Sequence, residues 1–266
     1  MVRKLHTCAA LLTFANFTVY GLVGLTAAFV PRWGGSTVSY RPFTRAAGET
    51  DRRVAERAVT LLGLSLATPV QSAVIQHPAG QGLVLDFWHA NGRHTVTVLE
   101  SEGRIRIERK PNTFRAYLST LHATTAAFHS GDWRMQLWAD YNEFAMWGFV
   151  VMMASGAGLW FTSRARPVMR RVHRWLAIAA LPFLVFYAVT AVQMAHRRWL
   201  GWPWLRALSR SHHSPALGLM GAVFLLLGVS GLYLWLESRA QRRTGAILLG
   251  ATMALTVALV WSMRLG

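Results

Sequence analysis

The sequence predicts a mainly α-helical membrane protein. Its expected core is four transmembrane helices with an internal duplication, extended by a fifth span, with a small α+β external domain inserted between spans one and two. Three observations predict this. Five long uncharged apolar runs, near 8–30, 143–162, 174–195, 214–236 and 245–263, have about the 20 residues that cross a bilayer. Pairs of these runs echo each other. A stretch of short, alternating runs separated by turn residues lies between the first run and the second.

Residues 1–30 hold span one. The same segment also has the basic start, apolar run and small residues near Ala27 of a cleavable signal. The length of the run and its match to span three favour a retained helix. Residues 31–110 read as the external domain. "DRRVAERAVTLLGL" puts Val54, Ala58, Leu61 and Leu62 on one helical face. "SAVIQH", "LVLDFWH", "HTVTVLE" and "RIRIERK" then alternate apolar with polar. Asn91-Gly92 is a two-residue hairpin signal, so one helix followed by an antiparallel meander is expected. Residues 111–142 are expected to form interfacial helices: "PNTFRAYLSTLHATTAAFH", a break at Ser130-Gly131-Asp132, then the amphipathic "WRMQLWADYNEF". Spans two to four fill 143–236, and 237–266 carries the fifth.

Two echoes define the duplication. "RKLHTCAALLTFANFTVYGLVGL" overlays "RRVHRWLAIAALPFLVFYAVTAV", matching Arg3 with Arg170, His6 with His173, Ala10 with Ala177 and Tyr20 with Tyr187. "GFVVMMASGAGLWF" from Gly148 likewise resembles "GAVFLLLGVSGLYLWL" from Gly221, aligned on a Gly-Leu-aromatic step. Spans one and two would form one unit and spans three and four a second, related by an axis along the membrane normal. Gly148, Ala154, Ser155 and Gly156 would let helices approach closely.

The formal charge of +17 raises the question of a nucleic-acid partner. Most of the charge flanks the spans instead. Arg3 and Lys4, the arginines between spans two and three, and Arg239, Arg242 and Arg243 all fall on one side if the N-terminus is cytoplasmic. That orientation puts 31–142 mostly in the periplasm of a bacterial inner membrane, and no nucleic-acid partner is expected. Trp199, Trp202 and Trp204 fit an interfacial anchor between spans three and four. A single cysteine, Cys8, excludes an internal disulfide and a cysteine-ligated iron–sulfur cluster. Nucleotide-loop, Walker, Gly-x-Ser-x-Gly and His-Glu-x-x-His motifs are absent from the sequence, so any redox activity takes its electrons from a partner or a quinol.

Ten histidines carry the chemistry worth testing. Polar groups at membrane depth are costly and usually functional. His6 and His173 sit at the cytoplasmic ends of spans one and three. His122, His129, His196, His212 and His213 gather near the outer ends of spans two to four. Imidazole is an axial ligand for haem iron, and facing helices can each supply one. His77, His89 and His94 belong to the external domain. His89 and His94 flank the Asn91-Gly92 turn and can face each other across strands; turn-proximal polar residues are a simpler explanation than a metal site. Asp140 and Glu143 stand at the outer mouth of span two.

The Arg-x-x-His openings "RKLH" and "RRVHRWLAIAALPF", together with "FHSG", "GAGLWF" and "GVSGLYLWL", resemble the PepSY-associated transmembrane family, which includes ferric-siderophore reductases of the bacterial inner membrane. The helix and meander of 51–110 are similar to a PepSY domain. The resemblance implies b-type haem, two per chain, held by His6 and His173 on the inner side and by His129 with His212 or His213 on the outer side. His122 and His196 are alternatives for the outer ligand. It also implies electron transfer across the lipid bilayer to a ferric-siderophore complex, from a quinol, a flavin or an NAD(P)H-dependent partner. The protein would then be a haem-dependent ferric reductase. The alternative is a cofactor-free, membrane-anchored PepSY module that binds a partner, with its histidines merely interfacial.

Overall fold

The computed structural model describes residues 1–26, 35–64, 66, 70, 74–80, 82–89, 91–125, 132–162, 168–213, 220–238 and 242–265. The elements run α1 (Val2–Thr26), β1 (Thr37–Pro42), α2 (Asp51–Leu62), β2 (Ile75–Gln76), β3 (Val84–His89), β4 (Gly92–Leu99), β5 (Arg104–Pro111), α3 (Phe114–Ala123), α4 (Trp133–Thr162), α5 (Val168–Ala195), α6 (Pro203–Arg210), α7 (Met220–Glu237) and α8 (Arg242–Leu265). Five of these helices, α1, α4, α5, α7 and α8, are long and apolar enough to cross a membrane. The protein is therefore a mainly helical membrane protein with a small antiparallel sheet. The amphipathic stretch after Ser130-Gly131-Asp132 and span two form one unbroken helix, α4. Nothing in "WRMQLWADYNEF" stops a helix, so the turn pattern continues into the apolar run.

The chain divides into two compact units. The first holds α1, most of α4, α5, α6, α7 and the larger part of α8. Its core helices contact each other in a closed square. Tyr141 of α4 donates to the Leu12 carbonyl of α1 at 2.8 Å, and Asn16 donates to Asn142 Oδ1 at 2.6 Å. Arg174 of α5 donates to the Trp160 carbonyl of α4 at 2.8 Å. Ala180 and Leu184 of α5 pack against Met220 of α7. Gly21 of α1 meets Leu225 of α7, where an added Cβ would come within 2.8 Å. Side-chain hydrogen bonds between membrane helices each contribute about 1 kcal/mol. Small residues do the rest: a Cβ on Gly148 would come within 2.7 Å of Thr13, which is fully buried on α1.

One ring from each of the four helices joins a shared, partly buried aromatic cluster in this square. Phe17, Phe149 and Phe224 lie 5.4 to 6.2 Å apart, centroid to centroid, and Tyr187 stands edge-on 6.0 Å from Phe224. α6 carries Leu205 and Ser209 on a buried face, whereas Trp202 and Trp204 stack at 6.0 Å on an exposed one. Cys8 is a free, exposed thiol.

The second unit is built around a five-stranded antiparallel sheet in the order β1-β5-β4-β3-β2. The expected meander is β2 to β5. β1 was not foreseen: "TVSYRP" adds itself beside β5 as an exposed edge strand. Val54, Ala55 and Ala58 of α2 pack on Leu85, Phe87, Val96, Val98, Ile105 and Ile107. Thr50 caps α2 by accepting from Arg53 N–H, and Gly63 closes it with φ of 61°. α3 is held within this unit from both sides. Tyr117 donates to the Val260 carbonyl near the end of α8, and Trp138 near the start of α4 donates to the Leu121 carbonyl at 2.9 Å.

The β3–β4 turn depends on Gly92, whose φ is 149°. A Cβ there would strike the Lys110 carbonyl oxygen and lie 3.0 Å from Pro111 Cα. Both neighbours are backbone and cannot yield. Gly92→Ala is therefore expected to destabilise this unit by about 2–4 kcal/mol, read as a lowered urea midpoint of tryptophan fluorescence. An unchanged midpoint would show that the turn relaxes freely.

Candidate functional site

His6 lies in the second turn of α1, and Ser155-Gly156 lies on the neighbouring face of α4. His6 Nδ1 is 3.1 Å from the Met152 carbonyl oxygen and 3.1 Å from Ser155 Oγ. A Cβ on Gly156 would sit 3.3 Å from His6 Cε1, so the ring rests in the space that this glycine leaves. The same contact recurs with α5 and α7. His173 Nδ1 is 2.7 Å from Ser230 Oγ, and a Cβ on Gly231 would sit 3.5 Å from His173 Cε1. A histidine at one helix end thus meets a Ser-Gly step on its neighbour twice.

Of the outer histidines, His212 is buried. Its Nδ1 lies 2.7 Å from Thr190 Oγ1, and its ring meets Tyr187 edge-on at 4.8 Å. Tyr187 belongs to the ring layer of the bundle, so His212 borders that layer. His196 is engaged differently. Its Nε2 lies 2.8 Å from Glu143 Oε1, which also accepts from Trp147 Nε1–H at 2.8 Å, and its ring stacks on Trp199 at 5.5 Å. An Nε2 held by a carboxylate is committed to that pair. His122 sits on α3 in the sheet-containing unit, whereas His196 and His212 belong to the helical one. His129 lies outside the described residues, as does the His213 side chain.

The sequence singled out the histidines but not their partners. Ser155 was noted only as a small residue, and Ser230, Thr190 and Glu143 were not tied to any ring. A signal was present. Aligning the two echoing spans on Ser-Gly rather than on Gly-Leu-aromatic brings Phe149 onto Phe224, Ser155 onto Ser230, Gly156 onto Gly231 and Trp160 onto Trp235. The buried amides of Asn16, Asn142 and Gln193 were also missed.

In the sheet-containing unit, His89 and His94 do face each other, diagonally. His89 opposes Gly92 and His94 opposes Phe87 in the register, and His89 Nε2 lies 2.9 Å from His94 Nδ1. Both are buried. Burial, reinforced by the Arg109 guanidinium, pushes both imidazoles well below their ordinary pKa, so the pair is neutral at pH 7. His77 pairs with Asp51 at 2.9 Å. That hydrogen bond, with Arg45 behind it, holds the Asp51 carboxyl below the usual carboxylate range. Among the described residues, no group of three or more His, Cys, Asp or Glu side chains gathers in a geometry that would hold a metal ion.

No curated protein and no solved structure matches the chain. The family model described as the PepSY-associated TM region matches residues 3–217, most of the chain, and the protein belongs to that family.

Proposed function

We propose that this protein is a di-haem b oxidoreductase of the bacterial inner membrane that carries electrons outward to reduce ferric iron held by a siderophore. The observation that carries this reading is the repeated contact of His6 with Ser155-Gly156 and of His173 with Ser230-Gly231. We read that repeat as the trace of an internal duplication, with the small domain inserted between its first two spans. The residues fit a porphyrin. Two imidazoles come from separate helices at the same end of the bundle, each anchored through Nδ1 and each lying in the gap left by a glycine.

When bound, haem supplies a one-electron couple. The chain's own residues do the rest. His6 and His173 would hold the inner iron. His129, with His212 or His213, would hold the outer one. Thr190 fixes the His212 ring. The layer of Phe17, Phe149, Phe224 and Tyr187 puts aromatic surface between the two levels. Arg3, Lys4, Arg170 and Arg171 keep the His6 and His173 end on the cytoplasmic side. The donor would be a quinol, a flavin or an NAD(P)H-dependent partner. At the outer face the ferric complex would take up one electron per iron. Iron(II) is held less firmly by hard oxygen ligands, so reduction favours release.

The test uses purified full-length protein. A Soret band that shifts with dithionite is expected, and a ferric siderophore should then reoxidise the reduced protein, as followed in its visible bands. A colourless preparation from haem-replete cells would instead favour the cofactor-free module.

A further inference from the structure

The two nitrogens of each imidazole have separate roles, and the hydrogen bonds decide which one carries the proton. His6 Nδ1 faces the Met152 carbonyl, which can only accept, so Nδ1 is the protonated nitrogen. Ser155 Oγ, its other partner, gives its own proton to the Val151 carbonyl at 2.6 Å and is likewise left to accept. Ser230 Oγ lies 3.1 Å from the Leu227 carbonyl and 2.7 Å from His173 Nδ1, so with its proton turned to Leu227, as in the Ser155 half, it accepts from His173 Nδ1–H. Thr190 repeats the pattern for His212, with its hydroxyl directed to the Phe186 carbonyl at 2.7 Å. A hydroxyl bonded back to the carbonyl three or four residues earlier in its helix leaves its oxygen lone pairs to accept from the ring.

We propose that Ser155 and Ser230 are positioning residues for an iron porphyrin: they pin the Nδ1–H of His6 and His173, so that both imidazoles present the Nε2 lone pair to the metal. This rests on the haem reading above. The serines also set the strength of that ligation. A ligating imidazole donates its second N–H to an outer partner, and the stronger the acceptor, the more electron-rich the ligating nitrogen. A carboxylate in that place would stabilise ferric iron. A hydroxyl does so less, and an alanine does not do so at all. The glycines complete the clamp, because the serine holds one edge of each ring and the glycine gap receives Cε1. The two halves are not equivalent. His6 has two acceptors on Nδ1, whereas Ser230 Oγ is the acceptor on His173. Removing Ser230 therefore costs more than removing Ser155.

The test uses the full-length protein and the variants Ser155→Ala, Ser230→Ala, Ser230→Thr and Ser230→Asp, with three readouts. Nitrogen NMR of the haem-free, histidine-labelled protein reports which ring nitrogen is protonated. Haem titration reports affinity, and spectroelectrochemistry reports the midpoint potential. The haem-free wild type should show protonated Nδ1 at His6 and His173. Ser230→Ala should bind haem about ten- to a hundredfold more weakly, with a raised midpoint potential. Ser155→Ala should follow in the same direction by less. Ser230→Thr should restore both quantities, and Ser230→Asp should lower the potential below that of the wild type. A misfolding artefact would not produce that ordered series. Protonated Nε2 in the wild type would overturn the proposal. So would Ser230→Ala with wild-type affinity and potential while His173→Ala loses haem. Wild-type protein that takes up no haem would overturn the haem reading as well, and so differs from a failure of the serines alone.

Discussion

On the proposed di-haem reading, alanine at His6 and alanine at His173 are each expected to remove the same portion of the Soret absorbance, about half if two haems are bound, and the double variant no more than either single one. The argument is structural. The two rings stand at one end of the bundle, on α1 and α5, and are held by matching Ser-Gly contacts on α4 and α7. If both ligate one iron, losing either ligand loses that group, and the second substitution has nothing left to remove. His212→Ala should remove absorbance from the remaining portion, because His212 lies beyond the ring layer, against Tyr187. Haem content per protein, measured as the pyridine complex, checks all four variants. Full haem content in both single variants would defeat the assignment. Additive losses would show that the two histidines serve different groups.

The second large effect is on the sheet-containing unit. Lowering the pH from 7 to 4 should destabilise it by several kcal/mol through His89 and His94. Both histidines are buried and bonded to each other. Burial is the main cause that keeps them from protonating in the folded state, and His94 is pushed down to about 4. In the unfolded chain each titrates near 6.5. The unfolded state therefore binds protons first as the pH falls. Stability is complete above about pH 6.5 and is lost progressively toward the folded-state values, by up to about 1.4 kcal/mol per pH unit for each histidine. Urea midpoints between pH 7 and pH 4 give the slope directly. The double variant His89→Gln, His94→Gln should flatten it. An equal slope in that variant would assign the acid sensitivity elsewhere.

The five apolar helices were legible because a bilayer imposes a long, uncharged run that no soluble fold requires. The meander was legible through its alternation and through Asn91-Gly92. β1 was not, because an edge strand with both faces exposed has no buried side to impose a pattern. The separate interfacial helix before span two was expected from a change in composition, but a change in solvent does not stop a helix, and α4 runs through it. The histidine pair was visible from the overlay of spans one and three. Its serine partners were not, because the echo of spans two and four was aligned on a Gly-Leu-aromatic step, two residues out of register with the Ser-Gly step that touches the rings. Hydrogen bonds between distant helices leave no local pattern in the chain, whereas periodicity does.

The stack of Phe17, Phe149, Phe224 and Tyr187 bears on the energetics of the cell. On the proposed electron-transfer reading, an electron that crossed this aromatic layer without a proton would move net charge across the membrane. Each elementary charge so moved would exchange about 2.3 kcal/mol with every 100 mV of membrane voltage. Outward electron flow through this bundle would run with the voltage-imposed gradient of an energised, inside-negative cell, and the rate of iron release would rise and fall with respiration.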